Sequence, residues 1–174
     1  MLTVHQWPAV SCGAENLLCY RGDPYAGENI LTHEFGHAIH EMGLRKIDRE
    51  FDRKLKSTYD HAMAAGLWKG TYAATNPGEY WAEGVQSWFD CNRAMDESHN
   101  GIQTREQLKA YDSDLAALLA ETFRGNAWRY QRPDLRAKRA HLAGYYPSKA
   151  PVFAWDPALV EWYRKYEEEK DGKP

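Results

Sequence analysis

The segment HEFGH, His33 to His37, sets two imidazoles four residues apart with a carboxylate, Glu34, beside the first. On a helix, at about 100° per residue, His33 and His37 project within about 40° of each other and one turn apart, so both can reach one tetrahedral zinc ion at roughly 2 Å. Glu34 is then placed to take a proton from a water whose pKa zinc lowers to about 7, and to pass that proton to a leaving amine. A catalytic zinc also needs a third protein ligand and an open fourth position. A third histidine six residues after the second does not supply it, because Gly43 stands there. His40 lies on the same side of the helix but about two turns from His33, and one straight helix cannot wrap three such side chains round one ion. It reads as a group that supports the ligands or faces substrate, with an ordinary surface histidine as the competing assignment.

The better third ligand is Glu79, at the start of the helix in TNPGEYWAEGVQSWF, with Glu83 one turn later and facing the same way. Glu83 is placed to hold a ligand imidazole through the nitrogen that does not bind metal. Two unpartnered carboxylates in an otherwise aromatic and apolar stretch would be expensive to bury. Glu79 is also three residues after Asn76, where glutamate is common for purely local capping reasons, and Glu83 alone reads as a solvated charge; these alternatives stay open.

The elements that must position these groups are helical. A helix is expected from about Glu28 through Met42, with Gly43 as its C-terminal cap, and a second from about Asp48 to a stop at Gly66. Asn76 as cap and Pro77 in the first turn open a third, running to about Asp90 and burying Trp81, Val85, Trp88 and Phe89. Thr104 and Asp112 read as caps of two further helices, the second closed by Gly125. Residues 1 to 27 read as an irregular or short-stranded entry, since LTV and LLCY are brief and Gly22, Asp23, Pro24 and Gly27 are turn residues. The fold class is therefore mainly α, an α+β arrangement with at most a small N-terminal sheet. Residues 1–130 form the body, and 131–174 a C-terminal helical extension packed on it or appended to it, with a basic run, RPDLRAKRAH, then PSKAP and a final helix opened by Asp156 and Pro157.

HEFGH, followed after 41 residues by EYWAE and with a tyrosine seven residues before that glutamate, resembles the gluzincin metallopeptidases of the anthrax lethal factor and Pro-Pro endopeptidase type. The likeness spans Glu28 to about Phe89. It implies a zincin-like catalytic domain with one Zn²⁺ held by His33, His37 and Glu79, Glu34 as general base, and Tyr72 lining the reaction centre. The pieces GENIL, YWAEGVQSWFD and His99 to Glu106 are also similar to a set of secreted-looking zinc peptidases. Tyr72 has a physical rationale of its own: a phenol opposite the metal stabilises the oxyanion of a tetrahedral intermediate without being a ligand. A typical gluzincin places most of a twisted sheet ahead of its active-site helix, whereas 32 residues precede His33 here, which fits either a reduced sheet or a piece of a longer protein. If residues 2 to 6 form an edge strand, a peptide substrate could pair with it.

The expected activity is zinc-dependent endopeptidase action on a peptide or protein. A zinc hydrolase of non-peptide amides would use the same ligands and base, and a zinc-stabilised helical binding module would need the ligands but not Glu34. Composition agrees with a self-folding domain: 174 residues, 43% apolar, net charge -3. A pI of about 6.2 leaves no electrostatic footprint for nucleic acid. No apolar run approaches the length of about 20 that crosses a bilayer, and the start shows no basic-then-apolar secretory signal. Cys12 and Cys19 are close enough to close a small loop, leaving Cys91 over; three unpaired thiols fit equally well, and without a CxxC there is no structural zinc pattern. His5, His61, His99 and His141 have no recruiting spacing, His99 being the best placed for a substrate contact. Trp68, Trp81, Trp88 and Phe89 read as core rather than cleft.

Overall fold

A computed structural model describes residues 9–136 and 143–171. Its organising element is the helix that the sequence marks most fully, α5 (Pro77–Trp88). Asn76 caps it, its Oδ1 accepting from the Glu79 amide at 3.0 Å, with Pro77 in the first turn. Every residue from Tyr80 to Trp88 is buried, as expected of a helix that is apolar nearly all round.

Against α5 packs α2 (Ile30–Ala38), which carries HEFGH; Asn29 caps it, Oδ1 accepting from Thr32 N at 2.7 Å. The helices approach closely at Gly36, where a Cβ would lie 3.3 Å from Ala82 Cα and 3.4 Å from Val85 Cβ. The Gly36 carbonyl accepts from the Trp81 indole at 2.9 Å. Gly36→Val is expected to force the pair apart and to cost about 1–3 kcal/mol, read as a lower unfolding midpoint in denaturant.

Around this pair lie α4 (Phe51–Ala64), α6 (Arg105–Tyr111) and α7 (Ser113–Thr122). Leu55, Trp68, Tyr80, Trp81, Leu108, Leu115 and Leu119 are nearly fully buried between them, and Trp88 and Phe89 join the same core. The expected caps at Thr104 and Asp112 are present, Thr104 in a full capping box with Gln107. Gly66 and Gly125 follow α4 and α7 at φ 74° and 67°. Asp112 also ties the core together, its Oδ2 accepting from Trp68 Nε1 at 2.8 Å and Tyr80 OH at 2.6 Å.

Three expectations are corrected. Gly43 does not end the first helix: the chain continues in a π-helical stretch, Ile39–Leu44, and then α3 (Arg45–Ile47), ending at Asp48 with extended backbone. Phe51 rather than Asp48 then opens α4. The LLCY segment is not a strand: Leu17 closes α1 (Ala14–Leu17), and Leu18 and Cys19 follow in a turn. Among the described residues there is no sheet, only an isolated bridge between Arg21 and Val152. The proposed edge strand at 2 to 6 lies outside the described residues, as do 137–141 of the basic run.

The entry loop is fixed by the buried Asn16, whose Nδ2 donates to Glu28 O at 3.0 Å and whose Oδ1 accepts from Ile30 N at 2.9 Å. The chain beyond 143 returns to this loop, with Phe153 N bonded to Arg21 O at 2.9 Å and the Tyr145 hydroxyl bonded to Leu18 O. The last helix, α8 (Pro157–Asp171), is exposed from Pro157 to Glu169. No described helix is long and apolar enough to cross a membrane.

Candidate metal centre

His33 and His37 project from α2 toward the first turn of α5, where Glu79 meets them. His33 Nε2 lies 3.1 Å from Glu79 Oε2, His37 Nε2 lies 3.3 Å from the same oxygen, and the two Nε2 atoms are 3.2 Å apart. Ligands bound tetrahedrally at 2.0–2.1 Å would stand about 3.3 Å from one another. The three donors thus have the spacing of one face of a zinc tetrahedron. Glu79 does not fold back on the Asn76 amide as a capping-box glutamate would; its carboxylate goes to the imidazoles instead. The cap and the ligand-type placement coexist because Asn76 alone satisfies the first turn.

The donors also shape one another's protonation. Burial alone would lower the His33 pKa, but bonds to Glu79 and Glu83 outweigh it and raise it to about 10. The two imidazoles in turn hold the Glu79 carboxyl down at about 2. The exposure of the three side chains, 10% for His33, 28% for His37 and 18% for Glu79, leaves one side of the group open.

Behind His33 is a buried polar network. Its Nδ1 lies 3.1 Å from Gln86 Oε1 and 3.5 Å from Glu83 Oε1. Glu83 therefore reaches the ring nitrogen remote from Glu79, with Gln86 the nearer partner. Glu83 is itself fixed by Asn92, whose Nδ2 donates to its Oε2 at 3.0 Å. Gln86 escaped the sequence reading although a signal existed: Glu79, Glu83 and Gln86 are spaced i, i+4, i+7 and share one helix face.

Glu34 and Tyr72 line an open cleft of about 730 Å³ in front of His33. The Tyr72 ring centroid is 6.2 Å from that of His33, and burial, then the nearby Glu79 carboxylate, raises its pKa. Tyr72 begins a short 3-10 turn, Tyr72–Ala74, and its amide donates to Ser98 O at 2.8 Å. The polar 96–101 loop is thereby docked beside it and brings His99 into the cleft. His40 is not brought to this group, a correction to its expected supporting role. It lies in the π-helical stretch, whose wider winding turns it off the line of His33 and His37. Its Nε2 pairs with Asp52 Oδ1 on α4 at 2.7 Å and its ring packs on Phe51. Cys12, Cys19 and Cys91 are all free thiols.

No family model, curated protein or solved structure matches the chain.

Proposed function

We propose that the chain is a zinc-dependent endopeptidase of gluzincin type, with His33, His37 and Glu79 as metal ligands. The observation that carries this reading is the near-equilateral triangle of donor atoms, 3.1 to 3.3 Å on a side, beside an open cleft that also holds a carboxylate and a phenol. When bound there, zinc would supply a Lewis acid and a water acidic enough to lose its proton near neutral pH. Glu34 receives the proton of the attacking water and delivers it to the leaving amine, which balances the hydrolysis without further groups. Tyr72 donates a hydrogen bond to the oxyanion as the carbonyl becomes tetrahedral. Gln86 accepts from His33 Nδ1–H, with the Glu83 carboxylate 3.5 Å from the same nitrogen, and this fixes the ring with Nε2 aimed at the metal position.

A peptide substrate is supported by the open shape of the cleft and by a base whose role is proton transfer to a leaving group. A purely structural zinc would need neither Glu34 nor access from solvent. The test is cleavage of a diverse peptide library by the full chain with and without chelator, with activity restored by added Zn²⁺; cleavage indifferent to chelation contradicts the proposal. The network behind His33 has its own expected result. Gln86→Leu keeps the volume of a fully buried side chain and is expected to weaken zinc binding by about 10–100-fold, measured by competition against a chromophoric chelator.

A further inference from the structure

The cleft contains a second group of ligand-type side chains, two of which, Glu28 and His99, zinc-assisted hydrolysis leaves unused. Glu28, Glu83 and His99 each bring one oxygen or ring nitrogen within 4.8 Å of the other two. They come from three places: the turn ahead of α2, the middle of α5, and the 96–101 loop. The side chains of Glu28 and Glu83 are only 5% and 4% exposed, and that of His99 12%.

Each is fixed by a different neighbour. Glu28 Oε1 accepts from Arg93 Nη1 at 3.2 Å, and its Oε2 from Gln86 Nε2 at 3.2 Å. Glu83 Oε2 accepts from Asn92 Nδ2 at 3.0 Å. His99 Nδ1 lies 2.8 Å from Asp96 Oδ1, and its Nε2 faces Glu83 Oε2. That separation is 3.8 Å, beyond a hydrogen bond, so the two atoms do not satisfy each other. A histidine that gives its far N–H to a carboxylate is held as metal-bound histidines are held. Carboxylate oxygens carry two lone pairs each, so the bonds to Arg93, Gln86 and Asn92 leave acceptor capacity over.

The charges point the same way. Glu28, Glu83 and Asp96 present three carboxylates; Arg93 pairs with Glu28 and Asp96, and no Arg or Lys among the described residues lies within ion-pair distance of Glu83. Glu83 thus has only the imidazoles of His33 and His99 to compensate its buried charge.

We propose that Glu28, Glu83 and His99 form a second divalent-cation site opening into the same cleft. One imidazole with two carboxylates suits Zn²⁺ or Mn²⁺. Glu83 joins the two sites, its Oε1 standing 3.5 Å from His33 Nδ1. An ion there also anchors the loop whose Ser98 carbonyl holds the Tyr72 amide, and so fixes the phenol relative to α5. The ligands differ from His33, His37 and Glu79, so this site stands or falls separately from the hydrolytic one.

The test strips the full chain with chelator, titrates it with Zn²⁺ alone, and counts bound zinc by elemental analysis after desalting. The wild type is expected to hold two equivalents, His99→Ala and the near-isosteric Glu28→Gln one each, His37→Ala one, and the His37→Ala/His99→Ala double variant none. A wild-type stoichiometry that neither Glu28→Gln nor His99→Ala lowers overturns the second site, leaving Glu28–Arg93 and Asp96–His99 as ordinary ion pairs. A single equivalent that His99→Ala removes and His37→Ala leaves supports the second site and removes the ground for the first.

Discussion

Glu34→Gln is expected to keep the metal and to lower peptide cleavage by at least about 10²–10⁴-fold, the usual contribution of a positioned general base. Glu34 lines the cleft beside His33 but is not one of the three atoms that converge. The amide has the size of the carboxylate, so packing against its neighbours is kept. It cannot accept a proton from water, and both proton transfers fail together. The variant should therefore show wild-type zinc content and an unchanged unfolding midpoint, with cleavage lost. Cleavage that persists in a well-folded, zinc-loaded variant would remove Glu34 from the mechanism.

Asp112→Ala is expected to be the most damaging single change to stability. The carboxylate is buried, 3% exposed, and satisfies three donors from three parts of the chain: the Leu115 amide, the Trp68 indole and the Tyr80 hydroxyl. Loss of the cap costs about 1 kcal/mol. Leaving the indole and phenol donors unpaired in the core adds about 1–3 kcal/mol each. A total of about 3–7 kcal/mol corresponds to a fall in Tm on the order of 10–20 °C for a domain of this size. Tyr80 adjoins Glu79, so the loss should also loosen the first turn of α5. Asp112→Asn retains one acceptor oxygen and should fall between the two. A drop below 1 kcal/mol for Asp112→Ala would show that water reaches these donors.

How much of this was legible in the sequence follows the range of the interactions involved. The start of α5 was readable because Asn76, Pro77 and Glu79 act within one turn. Gly66 and Gly125 were readable as stops because their positive φ is a local property. Gly43 misled because it resembles them in context, while the π-winding that carries the helix past it leaves no mark in a 3.6-residue period. The same winding displaced His40, which a straight α-helix keeps on the side of His33. The His33, His37 and Glu79 group was legible from two short motifs, although only the fold brings residues 46 apart into contact. His99 and Arg93 had no local signature, since their partners in the cleft, Glu83 and Glu28, lie far away in sequence. Gln86 had the right helical spacing but no charge to draw notice.

The most direct test of the central claim is the zinc held by the wild type compared with His37→Ala, measured on the same chelator-stripped and reloaded preparations. His37 has no described contact with the buried network behind His33, so its removal strips one ligand and leaves that network in place. The triad of His33, His37 and Glu79 predicts that the variant holds one equivalent of zinc fewer than the wild type. Equal zinc in the two proteins would contradict it.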